Sequence, residues 1–174
     1  FTELKPIATK TVSKLGDFSH IKAIVFDIYG TLIISASGDL DKSTISLENL
    51  TTSLNAGGFH WINGTMELEH GNDLLNLFRR EVEKQHVKLK AKGHQYPEVD
   101  IITVWKNCLK FAIENKWILE DESSCIKTTT VVFEILSNPV WPMPEMNKVI
   151  RELNGKIPLG IVSNAQFYTP IIMN

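Results

Sequence analysis

Ile21-Lys22-Ala23-Ile24-Val25-Phe26-Asp27-Ile28-Tyr29-Gly30-Thr31-Leu32 decides how this chain is read. The apolar run from Ala23 to Phe26 is continuous and partly β-branched, the pattern of a strand buried on both faces, and such strands belong to parallel sheets. The run stops abruptly at Asp27. Open α/β sheets bind ligands at the carboxyl ends of their strands, which is where this carboxylate falls. Gly30 allows a tight turn immediately after it.

A second short strand is predicted late, over about 157–162, in Pro158-Leu159-Gly160-Ile161-Val162, and it runs into Ser163-Asn164-Ala165. Ahead of it, Met146, Val149, Ile150 and Leu153 form the apolar stripe of a helix opened by Pro144 and closed by Asn154-Gly155. A strand, a helix and a further strand make a parallel crossover. After Ser163, Thr169-Pro170 opens another helix, inside which the chain stops at Asn174.

Between the two strands helical signals dominate. Ser43 is placed as the cap of a first helix carrying Ile45, Leu47, Leu50 and Leu54, stopped by Gly57-Gly58. Asn63-Gly64 reads as a turn. A second helix is predicted from Met66 to Lys90 on Leu68, Leu75, Phe78, Val82 and Leu89, with Gly71 weakening its start and Gly93 ending it. A third follows Pro97 and Asp100, and a fourth runs from Glu122 to Leu136, the latter weakened by Thr128-Thr129-Thr130. Residues 33–40 suit a short hairpin arm around Gly38. Phe1 to Ser19 read as a polar leader with a helical turn at Thr11 to Leu15. An insert of about 100 residues is too long for a loop and must be a domain of its own. The expected organisation is therefore a first core segment over 1–40, a helical insert over 41–138 and a second core segment over 139–174.

Composition narrows the classes. The 174 residues, 43% hydrophobic and 22% charged, can build a core and are not those of a disordered chain. A net charge of −2 does not call for nucleic acid, and the basic stretch Lys84 to Lys92 reads as a solvated helix face. No apolar run reaches the length of a membrane span. Two cysteines, Cys108 and Cys125, form neither a disulfide framework nor a metal pattern, which makes a reducing cytoplasm the default. His20, His60, His70, His86 and His94 lack metal spacing and read as surface residues. Tyr96 and Trp105 read as core. Asn63-Gly64-Thr65 fits a glycosylation triplet of a kind common by chance. Phe1 is not an initiator, so the start reads as trimmed.

Two stretches carry a family resemblance. Asp27-Ile28-Tyr29-Gly30-Thr31-Leu32 resembles the first motif of the haloacid dehalogenase (HAD) superfamily, D-x-D-G-T-[LV], with Tyr29 in place of the second aspartate. Pro158 to Ala165 resembles its second motif, a hydrophobic strand ending in Ser or Thr. The resemblance implies a Rossmann-like parallel α/β core, incomplete in this chain, with a helical cap inserted between the motifs. It implies Asp27 as a nucleophile that forms a covalent aspartyl intermediate, later hydrolysed by water. It implies that Ser163 binds a phosphoryl oxygen or carboxylate, with Gly30, Thr31 and Asn164 around the substrate. In a phosphatase it further implies Mg2+, held by Asp27 and the backbone carbonyl of Tyr29. The lysine of the third motif and the acidic pair of the fourth are expected beyond Asn174, so the chain reads as a fragment of a longer protein.

Tyr29 leaves the chemistry open. Phosphatases of the superfamily use the second aspartate as general acid, and a tyrosine with a pKa of about 10 is a poor substitute. True haloacid dehalogenases carry the D-x-Y form and need no metal, because halide leaves without a proton. The arginine stretch with which they hold halide has no match early in the insert, where Arg79 and Arg80 lie deeper, on a charged helix. The expected activity is thus a phosphatase acting on a small soluble phosphate, a metal-independent 2-haloacid dehalogenase, or an inactive scaffold that binds ligands.

Overall fold

In chain order the elements are β1 (Ile24–Phe26), β2 (Ile33–Ser35), α1 (Leu47–Ala56), β3 (Phe59–Trp61), α2 (Gly64–Ala91), α3 (Ile101–Glu114), β4 (Ile118–Glu120), α4 (Ile126–Ser137), β5 (Val140–Pro142), α5 (Met146–Leu153), β6 (Leu159–Ile161) and α6 (Thr169–Ile172). This is a mixed α/β chain. The computed structural model describes residues 3–7, 9–12, 14, 16–35, 45–95 and 97–173. Two compact units emerge, Phe1–Ser43 with Asn138–Asn174, and Thr44–Ser137.

In the first unit β1 pairs in parallel with β6, Ile24 opposite Leu159, Val25 opposite Gly160 and Phe26 opposite Ile161. Backbone bonds extend the ladder at both ends, from Ile24 N–H to the Pro158 carbonyl and from Val162 N–H to the Phe26 carbonyl, each 3.0 Å. Phe26 joins Ile28, Leu32, Ile33, Met146 and Ile150 in a small core. Val25 and Ile161 are 61% and 55% exposed. The expectation of a strand buried on both faces is therefore corrected: successive side chains point to opposite faces, and among the described residues only one face of this two-stranded sheet is packed.

The arm expected over 33–40 is a strand over Ile33–Ser35, but its partner is β5, antiparallel, with Ile34 opposite Trp141. Local pattern could not reveal a pairing that spans the whole insert. Residues 36–40 lie outside the described residues. The helical turn expected at Thr11 to Leu15 is not formed at residues 11, 12 and 14; Ile7 and Val12 stand exposed, so no packed face supports a turn there. Leu15 itself lies outside the described residues. Pro144, expected near the first position of this helix, sits two residues ahead of α5, and Glu145 takes the left-handed conformation between them (φ 62°).

The second unit is built on helices. Ser46 caps α1, accepting from the Asn49 amide; the expected cap Ser43 lies outside the described residues. Asn63 caps α2 by accepting from Thr65 N–H, Met66 N–H and the Thr65 hydroxyl, so the Asn-Gly-Thr triplet is a helix start rather than a turn. The helix runs through Gly71 because that residue meets the Leu47 side chain, 2.5 Å from where a Cβ would stand. Packing thus overrides propensity. The threonines of α4 are accommodated similarly: Thr129 and Thr130 are fully buried, and the Thr130 hydroxyl donates to the Ile126 carbonyl at 2.8 Å.

An all-helical insert is not what forms. β3 and β4 pair antiparallel, Phe59 opposite Glu120 and Trp61 opposite Ile118. Each strand has three residues, too few for period-two alternation to announce itself, and the partners lie far apart in sequence. The core gathers Leu50, Leu54, Phe59, Leu74, Trp105, Leu109, Ile118 and Phe133. Trp105 meets Phe133 edge-on at 4.8 Å between ring centroids, which agrees with a packing role. Tyr96 lies outside the described residues. His70 departs from the surface expectation: its ring stacks on Trp117, with centroids 4.4 Å apart and the ring planes nearly parallel. No helix among the described residues is long and apolar enough to cross a membrane.

Two outcomes follow. Asp100 caps α3, and bonds from the Thr103 hydroxyl and amide hold its carboxyl below the ordinary 3.8. Asp100→Ala should cost about 1 kcal/mol in a urea titration at pH 7. That difference should be complete above pH 3.8 and should close as pH falls through the lower folded value, because the protonated cap gives up its charge-assisted bonds. The cysteines should also separate. Burial pushes the Cys108 thiol up to about 12, whereas Cys125 is exposed and lowered by bonds from Thr128. A thiol reagent should modify Cys125 alone in the native protein and both residues after denaturation.

Candidate functional site

The parallel register sets the geometry. Phe26 and Ile161 pair, so both chains leave the sheet side by side, one as Asp27 and the other as Val162-Ser163. The Ser163 hydroxyl donates to the Asp27 carboxylate, and so does the Ile28 amide. These bonds, led by that from Ser163, hold the exposed carboxyl below the ordinary 3.8. Asp27 is thus ionised at neutral pH and held in place, as a nucleophilic carboxylate must be.

The loop after Asp27 closes on one carbonyl. The Ile28 oxygen accepts from Thr31, Leu32 and Ile33 N–H at 3.2, 2.8 and 3.1 Å, while Gly30 N–H donates to the Ile33 oxygen at 2.8 Å. Gly30 makes this possible with φ +79°; nothing stands within 4 Å of where its Cβ would be, so its requirement is conformational and not steric. Thr31 is half-buried with its amide in that bond set, and Asn164 stands exposed beside Ser163. Tyr29 is half-buried, and its hydroxyl lies 2.8 Å from Thr169 Oγ1.

The structure therefore brings together Asp27, Ser163, Gly30 and Thr31 around two adjacent strand ends. The Tyr29 side chain is tied to Thr169. Sequence reading missed Thr169, whose Thr-Pro pair signalled only a helix start, and the tie depends on residues 140 positions apart. It also could not tell that the amide holding Asp27 belongs to the very next residue.

Magnesium takes six oxygen ligands and commonly keeps several waters, needing only one or two carboxylates plus substrate phosphate. The Asp27 carboxylate and the Tyr29 carbonyl match the protein share of such a set in part. No group of three or more His, Cys, Asp or Glu gathers among the described residues. A groove of about 860 Å³ in the same unit is lined by Leu4, Pro142, Met143, Lys148 and Arg151 among others, but by neither Asp27 nor Ser163. The strand ends are the better candidate because a held carboxylate and a hydroxyl converge there.

No protein-family model matches this chain, and no curated protein matches it.

Gly30→Ala should destabilise the first unit by about 1 kcal/mol, the cost of a left-handed Cβ, with Gly30→Asn costing less. Thermal melts of the two variants against the parent protein measure the difference.

Proposed function

We propose that this chain is a hydrolase of the HAD type that works through the Asp27 carboxylate, with the Rossmann-like core in its first unit and the inserted unit Thr44–Ser137 in the part of the cap. The observation that supports this most is the Asp27 carboxylate held by Ser163 and the Ile28 amide at the carboxyl ends of adjacent parallel strands. On a small phosphate ester, Asp27 attacks phosphorus, an aspartyl O–P bond forms, and the bond to the leaving oxygen breaks, the departing alkoxide taking its proton from solvent water. Water then attacks the acyl phosphate, releasing phosphate and restoring the carboxylate. Ser163 donates to Asp27 at rest and is free to turn its hydroxyl to a phosphoryl oxygen once the carboxylate is consumed. Gly30, Thr31 and Asn164 surround the incoming group. A bound magnesium ion, held by Asp27 and the Tyr29 carbonyl, would offset phosphate charge.

A second reading has a specific observation in its favour. The Tyr29 phenol, at the position of the usual acid, is hydrogen-bonded to Thr169, and a leaving halide needs no proton. In a 2-haloacid dehalogenase Asp27 would displace halide from carbon, and water would hydrolyse the resulting ester without metal.

The test is a panel of small phosphate esters and 2-haloacids, with and without magnesium. Phosphate release that requires magnesium supports the first reading; metal-independent halide release supports the second. Asp27→Asn should abolish whichever activity is present, and activity that survives it removes Asp27 as nucleophile. Lack of turnover on the whole panel would leave a ligand-binding scaffold.

A further inference from the structure

Two ties join the loop after β1 to the segment after β6. One is the Ser163–Asp27 bond. The other is the contact between Tyr29 and Thr169, 2.8 Å from hydroxyl to hydroxyl. Its two ends are set differently. Thr169 is fully buried at the start of α6, its amide donating to the Gln166 carbonyl at 3.0 Å and its own carbonyl accepting from Met173 at 3.2 Å. Tyr29 is half-buried against the cluster of Ile28, Leu32 and Ile33, and its backbone bridges to Ile33 within the loop that closes on Ile28. The ring therefore spans from the loop to a fixed point outside it. A buried hydroxyl needs a partner, so the bond is retained by both sides. The Ser163–Asp27 bond is at an exposed carboxylate open to water, whereas the Tyr29–Thr169 bond is at a residue that water does not reach.

We propose that Thr169 is a positioning residue: through the Tyr29 hydroxyl it holds the Asp27 loop in register with the Ser163 segment. The role in turnover rests on the hydrolase reading above; the mechanical tie does not. Tyr29 serves as a strut, and the hydroxyl it carries where an acid usually stands is engaged in support. Losing the strut frees the loop to shift, and small misplacements of a reacting group are felt strongly in rate.

The test compares Thr169→Val, Thr169→Ser and Tyr29→Phe with the parent protein. Valine keeps the shape and removes the hydroxyl, serine restores it, and phenylalanine removes the other partner. The primary readout is amide hydrogen exchange at Gly30, Thr31, Leu32 and Ile33. Thr169→Val and Tyr29→Phe should each speed exchange there by about tenfold while amides of α2 and α3 stay unchanged, and Thr169→Ser should exchange as the parent does. On a substrate that is turned over, the first two variants should lower kcat by about tenfold with KM held within about twofold, and the double variant should be no worse than either. Parent-like exchange in both Thr169→Val and Tyr29→Phe, failure of serine to rescue, or losses that multiply in the double variant would each overturn the proposal. If Thr169→Val unfolds the unit, Tyr29→Phe decides, since it breaks the same bond from the half-buried side. Absence of turnover in the parent would sink the hydrolase reading alone, because the exchange comparison still reads the strut.

Discussion

The parallel pairing of β1 with β6 is the constraint on which the candidate site depends. Asp27 and Ser163 lie far apart in sequence, and neither is a site by itself. Three residue pairs, Ile24 with Leu159, Val25 with Gly160 and Phe26 with Ile161, set two chain ends side by side. A slip of one residue would turn every side chain of a strand to the other face. The small core under the sheet resists that slip, since Phe26 packs against the cluster of Ile28, Leu32 and Ile33, as do Met146 and Ile150 of α5, the helix that leads back into β6.

Once the register is set, short-range bonds finish the site. The Ile28 carbonyl collects three amides of the following loop and the Ile28 amide turns to Asp27. One residue thus shapes the loop with its oxygen and holds the carboxylate with its nitrogen. Gly30 is needed because the turn passes through a left-handed conformation. Tyr29 then ties the loop outward to Thr169. The pieces differ in kind: the turn is local, the carboxylate bond crosses between strands, and the strut reaches into α6.

The second unit shows how packing settles what propensity leaves ambiguous. Gly71 and the threonines of α4 are weak helix residues, yet α2 and α4 run through them. Gly71 gives Leu47 room, and Thr129 and Thr130 are buried with their hydroxyls turned back to the carbonyls of Cys125, just ahead of α4, and Ile126. Removing polar hydroxyls from water is tolerable only with such partners. Trp105, Phe78 and Phe133 supply the aromatic centre around which these helices close.

Much of the scaffold was legible in residue order because its signals are local. The apolar run before Asp27, the glycine after it, the helix that follows Pro97 and Asp100, the long stripe of α2 and the Thr169-Pro170 start each act within a few residues, and periodicity and helix-start signals report such forces directly. Sequence reading set the insert at 41–138, and the units of the structure part at Thr44 and Ser137. Pairings over long separations were not legible. β2 finds β5 across the insert, β3 finds β4, and Tyr29 finds Thr169, each through backbone or side-chain groups that leave no pattern in a short window. Nor could residue order show that one face of the β1–β6 sheet stays open, because burial belongs to the packed neighbours and not to the strand. Residue chemistry and local order determined which carboxylate and which turn this protein has; only the tertiary structure decided what stands beside them, because hydrogen bonds act over ångströms in space, whatever the distance along the chain.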